Sequence, residues 1–320
     1  MGRFGDIALR AAGILLMLAA MLLAASKAPD RSLESLVPRW APPPSDFVDV
    51  DGLLVHVRDQ GPSSDPLPLV LIHGTGASLH TWEGWATELA RTRRVISFDL
   101  PGFGLTGPYP NQADGDYRDA RYVAFTRQLL ARLGVGRAIV AGNSLGGAIA
   151  WQLALADPGR VAGLVLIDAA GHEVVPESVP LGFRLAQVPV LREGMRWVLP
   201  RRAVESSVVN VYGNPARVRG ETVDRYYELT LREGNRTALM QRMDQLAPGP
   251  VARLAEIRVP TLILWGERDR LIPPRWGQAF QQAIPGSRLV NFPDLGHVPQ
   301  EENPAATLAA LRDWLPSVAH

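Results

Sequence analysis

The amino-acid sequence predicts an α/β protein, with a mostly parallel central sheet flanked by helices and an inserted helical cap. Three observations carry this. Continuous apolar runs of strand length recur at 67–72, 95–98, 138–141, 164–167 and 261–265, as expected of strands buried on both faces. Helical apolar patterns lie between them, with Trp82, Trp85 and Leu89 on one face, Val123, Leu129, Leu130 and Leu133 on another, and Ile149, Leu153 and Ala156 on a third. The stretch 172–250 breaks this alternation with scattered prolines and helical segments at 223–231 and 237–246, and insertions of that length usually serve a binding site. Alternating strands and helices give parallel crossovers, so ligands should bind beyond the carboxyl ends of the strands.

In chain order, Arg3 and Arg10 precede an uninterrupted apolar run at 11–25. As a helix this run would span about 22 Å, short of a bilayer core of about 30 Å. It reads as an export signal or a retained membrane anchor. The flanking arginines predict that the amino terminus stays inside and the remainder is exported, which places the protein in a bacterial envelope, either anchored or released after cleavage. Residues 27–45 hold Pro38 and Pro42-Pro43-Pro44, a composition expected to resist helix and form an extended spacer.

Residues 47–50 and 53–57 alternate around Asp51-Gly52 like a hairpin. The core therefore begins near residue 47, running over 47–171 and again over 251–320, with 172–250 as the cap and 1–46 as leader and spacer. Arg91 to Arg94 reads as a solvated helix end. The chain closes with a strand at 288–292, a loop holding His297, and a helix at 304–314 opened by Pro304.

Composition narrows the partners. The 320 residues are 47% hydrophobic and carry a net charge of +1, without the basic excess of a nucleic-acid binder. Charge itself implies no partner, and a small-molecule substrate is expected only from the motifs that follow. No cysteine is present, which removes disulfides, thiolate metal sites and cysteine nucleophiles.

The strand ends carry the chemistry. They read His73-Gly74-Thr75-Gly76, Asp99-Leu100-Pro101-Gly102-Phe103-Gly104, Gly142-Asn143-Ser144-Leu145-Gly146, Asp168, and Gly266-Glu267-Arg268-Asp269. A serine between a strand and a helix, with glycine two residues before and two after, has the layout of a nucleophile elbow. Its hydroxyl needs a base and a carboxylate to orient that base. His297 is the histidine in a suitable loop. His56 lies in the first hairpin, His80 at a helix start, His172 at the cap entrance, and His73 in a glycine turn that suits a backbone role. Two carboxylates follow strands: Asp269, favoured by the order serine, acid, histidine, and Asp168. Glu267 and Asp99 read as solvated or turn-forming groups. Negative charge developing on a substrate oxygen needs two main-chain donors: the N–H of Leu145 at the helix start, and one from the 73–76 loop, placed at Thr75.

These motifs, in this order and ending with Gly296-His297, resemble the α/β-hydrolase superfamily from about residue 47 to the carboxyl terminus. The resemblance implies a serine hydrolase with Ser144 as nucleophile, His297 as base and Asp269 as acid, working without metal or cofactor. Ser144 disfavours the dehalogenase and epoxide hydrolase branches, whose elbows carry aspartate. Asn143 and the Asp269-Arg270 pair look like carbon–carbon bond hydrolases of meta-cleavage products, whereas Val298 departs from that group, where an aromatic residue commonly follows the histidine. Lactonases and cofactor-free haloperoxidases share the same triad. The expectation is a carboxylic-ester hydrolase for small or medium, partly apolar substrates, with carbon–carbon hydrolysis, lactone hydrolysis, haloperoxidation and non-catalytic ligand binding as alternatives.

Overall fold

The computed structural model describes residues 26–110, 115–173, 175–180 and 197–318, together with isolated positions at 10, 13, 14, 17, 21, 184, 188 and 194. The expected export or anchor run at 11–25 lies almost wholly outside the described residues. Among those that are described, no helix is long and apolar enough to cross a membrane.

Helix α1 (Leu33–Trp40) leads into strands β1 (Ser45–Val50), β2 (Leu53–Gln60) and β3 (Leu69–Ile72). Next come α2 (Glu83–Leu89), β4 (Val95–Phe98), α3 (Asp119–Arg132), β5 (Ala138–Asn143), α4 (Leu145–Ala156) and β6 (Val161–Ile167). Helices α5 (Arg201–Val211), α6 (Gly220–Thr230) and α7 (Asn235–Asp244) follow, all between β6 and β7. The chain finishes with β7 (Thr261–Gly266), α8 (Arg275–Ala283), β8 (Arg288–Phe292), α9 (Pro299–Glu302) and α10 (Pro304–Trp314).

The strands form one eight-stranded sheet in the order β1-β2-β4-β3-β5-β6-β7-β8, parallel from β4 to β8 and antiparallel at β1 and β2. Alternation along each strand divides its side chains between two cores. Val70, Ile72, Val140, Leu164 and Ile263 face α3, α4 and α8, while Leu69, Leu71, Ile139, Val165 and Leu262 face α2 and α10. Fully burying each such side chain contributes about 1.5–3 kcal/mol relative to exposure. Because both faces are covered, the strands carry no polar alternation, and so they appear as unbroken apolar runs in the sequence.

Two expectations are corrected. Residues 33–40 are helical rather than extended, and the spacer does not stand free. Pro38 sits in the last turn of α1, and Leu36 and Trp40 pack against Leu105 and Leu229. Trp40 Nε1 donates to Glu228 Oε2 at 2.7 Å, and Arg39 pairs with Glu228 and Asp224 of α6. The segment before α1 is pinned as well, through bridges from Lys27 to Val198 and from Arg31 to Arg232. In the insertion, α6 and α7 start ahead of the apolar pattern, at Gly220 and Asn235, because their polar first turns carry no periodic signal.

Candidate functional site

Strand β5 delivers Ser144 onto a sharp turn. Ser144 has φ 54° and ψ −116°, a positive φ that costs a non-glycine residue on the order of 1–3 kcal/mol. The turn is held by main-chain bonds: Ser144 N donates to Ile167 O, and Ser144 O accepts from Ala148 N and Ala170 N, all at 3.0 Å. The flanking glycines have a steric cause. A Cβ on Gly142 would lie 2.0 Å from Gly146 O, and one on Gly146 would lie 2.0 Å from Ile72 O.

His297 and Asp269 are joined to each other by a hydrogen bond. His297 Nδ1 and Asp269 Oδ2 are 2.7 Å apart, in side chains 5% and 0% exposed. Asp269 Oδ1 accepts from Leu271 N at 2.8 Å and Ile272 N at 2.9 Å. A carboxylate with these donors can only accept, so Nδ1 of His297 carries the proton and Nε2 is left with its lone pair. The peptide around His297 is clamped on both sides. Its N–H donates to Val211 O of α5 at 2.8 Å, and its carbonyl accepts from Asn143 Nδ2 at 2.9 Å. Asn143 also bonds Ile167 O at 3.1 Å, which links the serine turn to the histidine loop.

Asp168 is separated from this pair by its environment. It is fully buried, with φ 43°, and its Oδ1 accepts from Gly266 N at 3.0 Å. Its Oδ2 meets no donor among the described residues. Burial, followed by the neighbouring charge of Asp269, pushes its pKa well above the usual carboxylate range. Ligand atoms of Asp168, Asp269 and His297 lie within 4.8 Å of one another. A cation there would have to ionise Asp168 and break the bond between the other two.

The remaining sequence-predicted residues line the same cavity. Thr75, Ser144, Leu145 and His297 border a space of about 760 Å³. Leu145 begins α4, where main-chain N–H groups have no carbonyl inside the helix to bond. The loop before Thr75 is fixed by His73, whose Nδ1 bonds Gly74 O at 2.7 Å and whose Nε2 accepts from Leu100 N at 2.9 Å. Burial lowers the His73 pKa, consistent with a neutral ring in a structural role. The insertion supplies much of the remaining wall, through Val204, Val208, Leu239 and Met240.

Several polar groups escaped sequence reasoning. Asp119 and Arg242 face this cavity as an ion pair at 2.7 Å; they are 123 positions apart in the chain, and no local pattern joins them. Asp99 is not solvated, although it does hold the turn after β4. It is fully buried, accepting from Leu79 N, Leu105 N and His56 Nδ1 at 2.7–2.8 Å. His56 Nε2 lies 2.9 Å from Ser45 Oγ, and that hydroxyl oxygen accepts from Arg58 Nε. This second serine–histidine–aspartate chain ties β1 and β2 to the loop after β4.

The sheet order, the turn at Ser144 and the buried histidine–carboxylate pair define an α/β enzyme of the hydrolase class. Residues 68–304 match the family model for the alpha/beta hydrolase fold, and the chain belongs to that family. It is 30% identical, over 82% of its length and 93% of the relative's, to a 2-hydroxy-6-oxo-2,4-heptadienoate hydrolase of Pseudomonas putida. Among solved structures, a membrane phospholipase A described as a bacterial virulence factor shares 27% identity and a TM-score of 0.73 over 99% of both chains. A thermophilic esterase from Thermogutta terrifontis shares 28% identity and a TM-score of 0.69, over 86% of this chain and 97% of that one.

Proposed function

We propose that this hydrolase cleaves carboxylic esters of small or medium, partly apolar acyl groups through an acyl-enzyme. The carrying observation is that the strained Ser144 and the Asp269-bonded His297 border one cavity of about 760 Å³ with predominantly apolar walls, within the roughly 300–1,000 Å³ usual for small-molecule sites. Likeness to an esterase and a phospholipase A supports the ester reading.

In this mechanism Nε2 of His297 takes the Ser144 proton as Oγ attacks the acyl carbon. The N–H groups of Leu145 and Thr75 hold the oxyanion, and each such donor contributes about 3 kcal/mol of barrier reduction. The imidazolium, stabilised by Asp269, returns the proton to the departing alkoxide. Water then attacks the acyl-enzyme with His297 again as base, releasing the acid and restoring Ser144. Residues 11–25, as an anchor or export signal, would place this reaction at a bacterial envelope.

Carbon–carbon hydrolysis is the second reading, favoured by the 30% identity to the heptadienoate hydrolase. A panel of p-nitrophenyl esters, lactones and vinylogous dienones separates the two. Ester turnover abolished in Ser144→Ala is the expected result. Preferential turnover of dienones would install the second reading, and undiminished esterase activity in Ser144→Ala would overturn the serine mechanism.

A further inference from the structure

The loop that carries His297 is fastened to the helical insertion, and the fastener is Glu302. Its side chain is 0% exposed, and its carboxylate gathers three main-chain donors from two places. Oε2 accepts from Gly296 N and Gly213 N at 2.9 Å each, and Oε1 accepts from Asn214 N at 2.8 Å, with Arg217 Nη1 at 3.5 Å on the rim. Gly296 precedes His297, whereas Gly213 and Asn214 follow α5 after Tyr212. The backbones are pressed together at this point. A Cβ on Gly213 would lie 2.5 Å from the Leu295 carbonyl carbon, and one on Gly296 would lie 2.4 Å from Gly213 N. The bond from His297 N to Val211 O completes the junction. Its neighbour Glu301 adds a second tie, accepting from Tyr212 Oη at 2.7 Å and from Arg225 Nη2 at 2.6 Å.

Helix α5 is also cavity wall, through Ala203, Val204, Val208 and Val211. The same helix thus touches whatever fills the cavity and supports the loop of the histidine. From this geometry we infer that Glu302 is a positioning residue, which holds the His297 loop against the end of α5 and so makes the placement of the base depend on the placement of the insertion. A buried carboxylate is suited to the task. It presents about four lone-pair sites, and its bonds to N–H groups are roughly twice as strong as those of a neutral acceptor. An amide in its place must turn an N–H toward either the Oε1 or the Oε2 donors, and loses that side of the junction.

The inference rests on the reading of Ser144 and His297 as nucleophile and base, and the test separates the two. The probe is a fluorophosphonate, whose reaction with Ser144 needs the base but no particular natural substrate. The full chain, Glu302→Gln and Gly213→Ala are compared for kinact and KI, normalised to folded protein by a thermal melt. Gly213→Ala strains the same junction from the insertion side while leaving the carboxylate intact. The expected result is a fall in kinact of roughly 10- to 100-fold in both variants, the size associated with a misplacement of about 1 Å, with KI within two-fold of the parent. Parent-like kinact in Glu302→Gln, a change confined to KI, or a loss that only tracks the unfolded fraction would each overturn the positioning role. Failure of the parent chain to label at Ser144 would instead overturn the serine hydrolase reading itself.

Discussion

At the scale of single residues, the site holds two carboxyl groups in different surroundings. Asp269 receives two amides and the His297 ring, while Asp168 receives one amide and the field of its neighbour. Replacing Asp269 with asparagine should invert the histidine tautomer and lower kcat by about 10⁴-fold, as such a change does in other triads, measured on whichever ester the parent turns over best. Asp168 predicts a pH effect on stability. Its folded pKa is raised above the unfolded value, so above the unfolded pKa the native state keeps a proton that the unfolded chain has lost. Stability then falls with rising pH by up to about 1.4 kcal/mol per unit until the folded pKa is passed. Asp168→Asn removes that titrating proton while keeping the size of the side chain. Urea midpoints of parent and variant from pH 5 to 8 should diverge in favour of the variant as pH rises, and parallel profiles would contradict a neutral Asp168. The order of motifs ranked Asp269 ahead of Asp168, but only their surroundings separate the two: Asp269 meets the amides of Leu271 and Ile272 and the distant ring of His297, while Asp168 meets the amide of Gly266 from another strand.

At the scale of elements, legibility followed burial and capping. Strands β4 and β8 and helix α10 begin and end where the sequence places them. Strand β4 is a doubly buried apolar run, and α10 opens with Pro304 behind Asn303, whose side chain accepts from Ala306 N. The turn between β5 and α4 has a sharp steric requirement. Gly146→Ala should cost about 1–3 kcal/mol through overpacking against Ile72 O, read as a lowered melting midpoint. Helix α1 was illegible because its proline-rich context masked two anchoring residues. Proline is most disruptive inside a helix, where it removes a bond and crowds the preceding turn, but Pro38 sits near the end, and Trp40 finds Glu228 and Leu229 on α6. Trp40→Ala should destabilise the protein by about 3–5 kcal/mol, measured by denaturant unfolding. A cost below 1 kcal/mol would mean that the segment is merely laid on the surface.

At the scale of the whole molecule, the sheet carries the site on its carboxyl edge, and residues from the stretch between β6 and β7 line the cavity beside it. The segment from Lys27 to Trp40 runs along that insertion, touching Val198, Glu228 and Arg232. The sequence marks residues 11–25 as an expected export signal or membrane anchor. Vesicle flotation of the full chain against one beginning at residue 26 tests their proposed membrane role; the full chain should float and the shorter one remain in the dense fraction. By itself, the sequence determined the fold class, the order of strands and helices, and the candidates Ser144, His297, Asp269, Thr75 and Leu145, because apolar periodicity and steric glycines act locally and leave a local record. The tertiary structure alone decided that Asp99 is a buried anchor, that Asp168 is buried beside Asp269, that the proline-rich segment is a packed helix, and that Glu302 joins the insertion to the His297 loop. Each of these depends on desolvation and hydrogen bonds between residues tens to hundreds of positions apart, which no stretch of sequence encodes on its own.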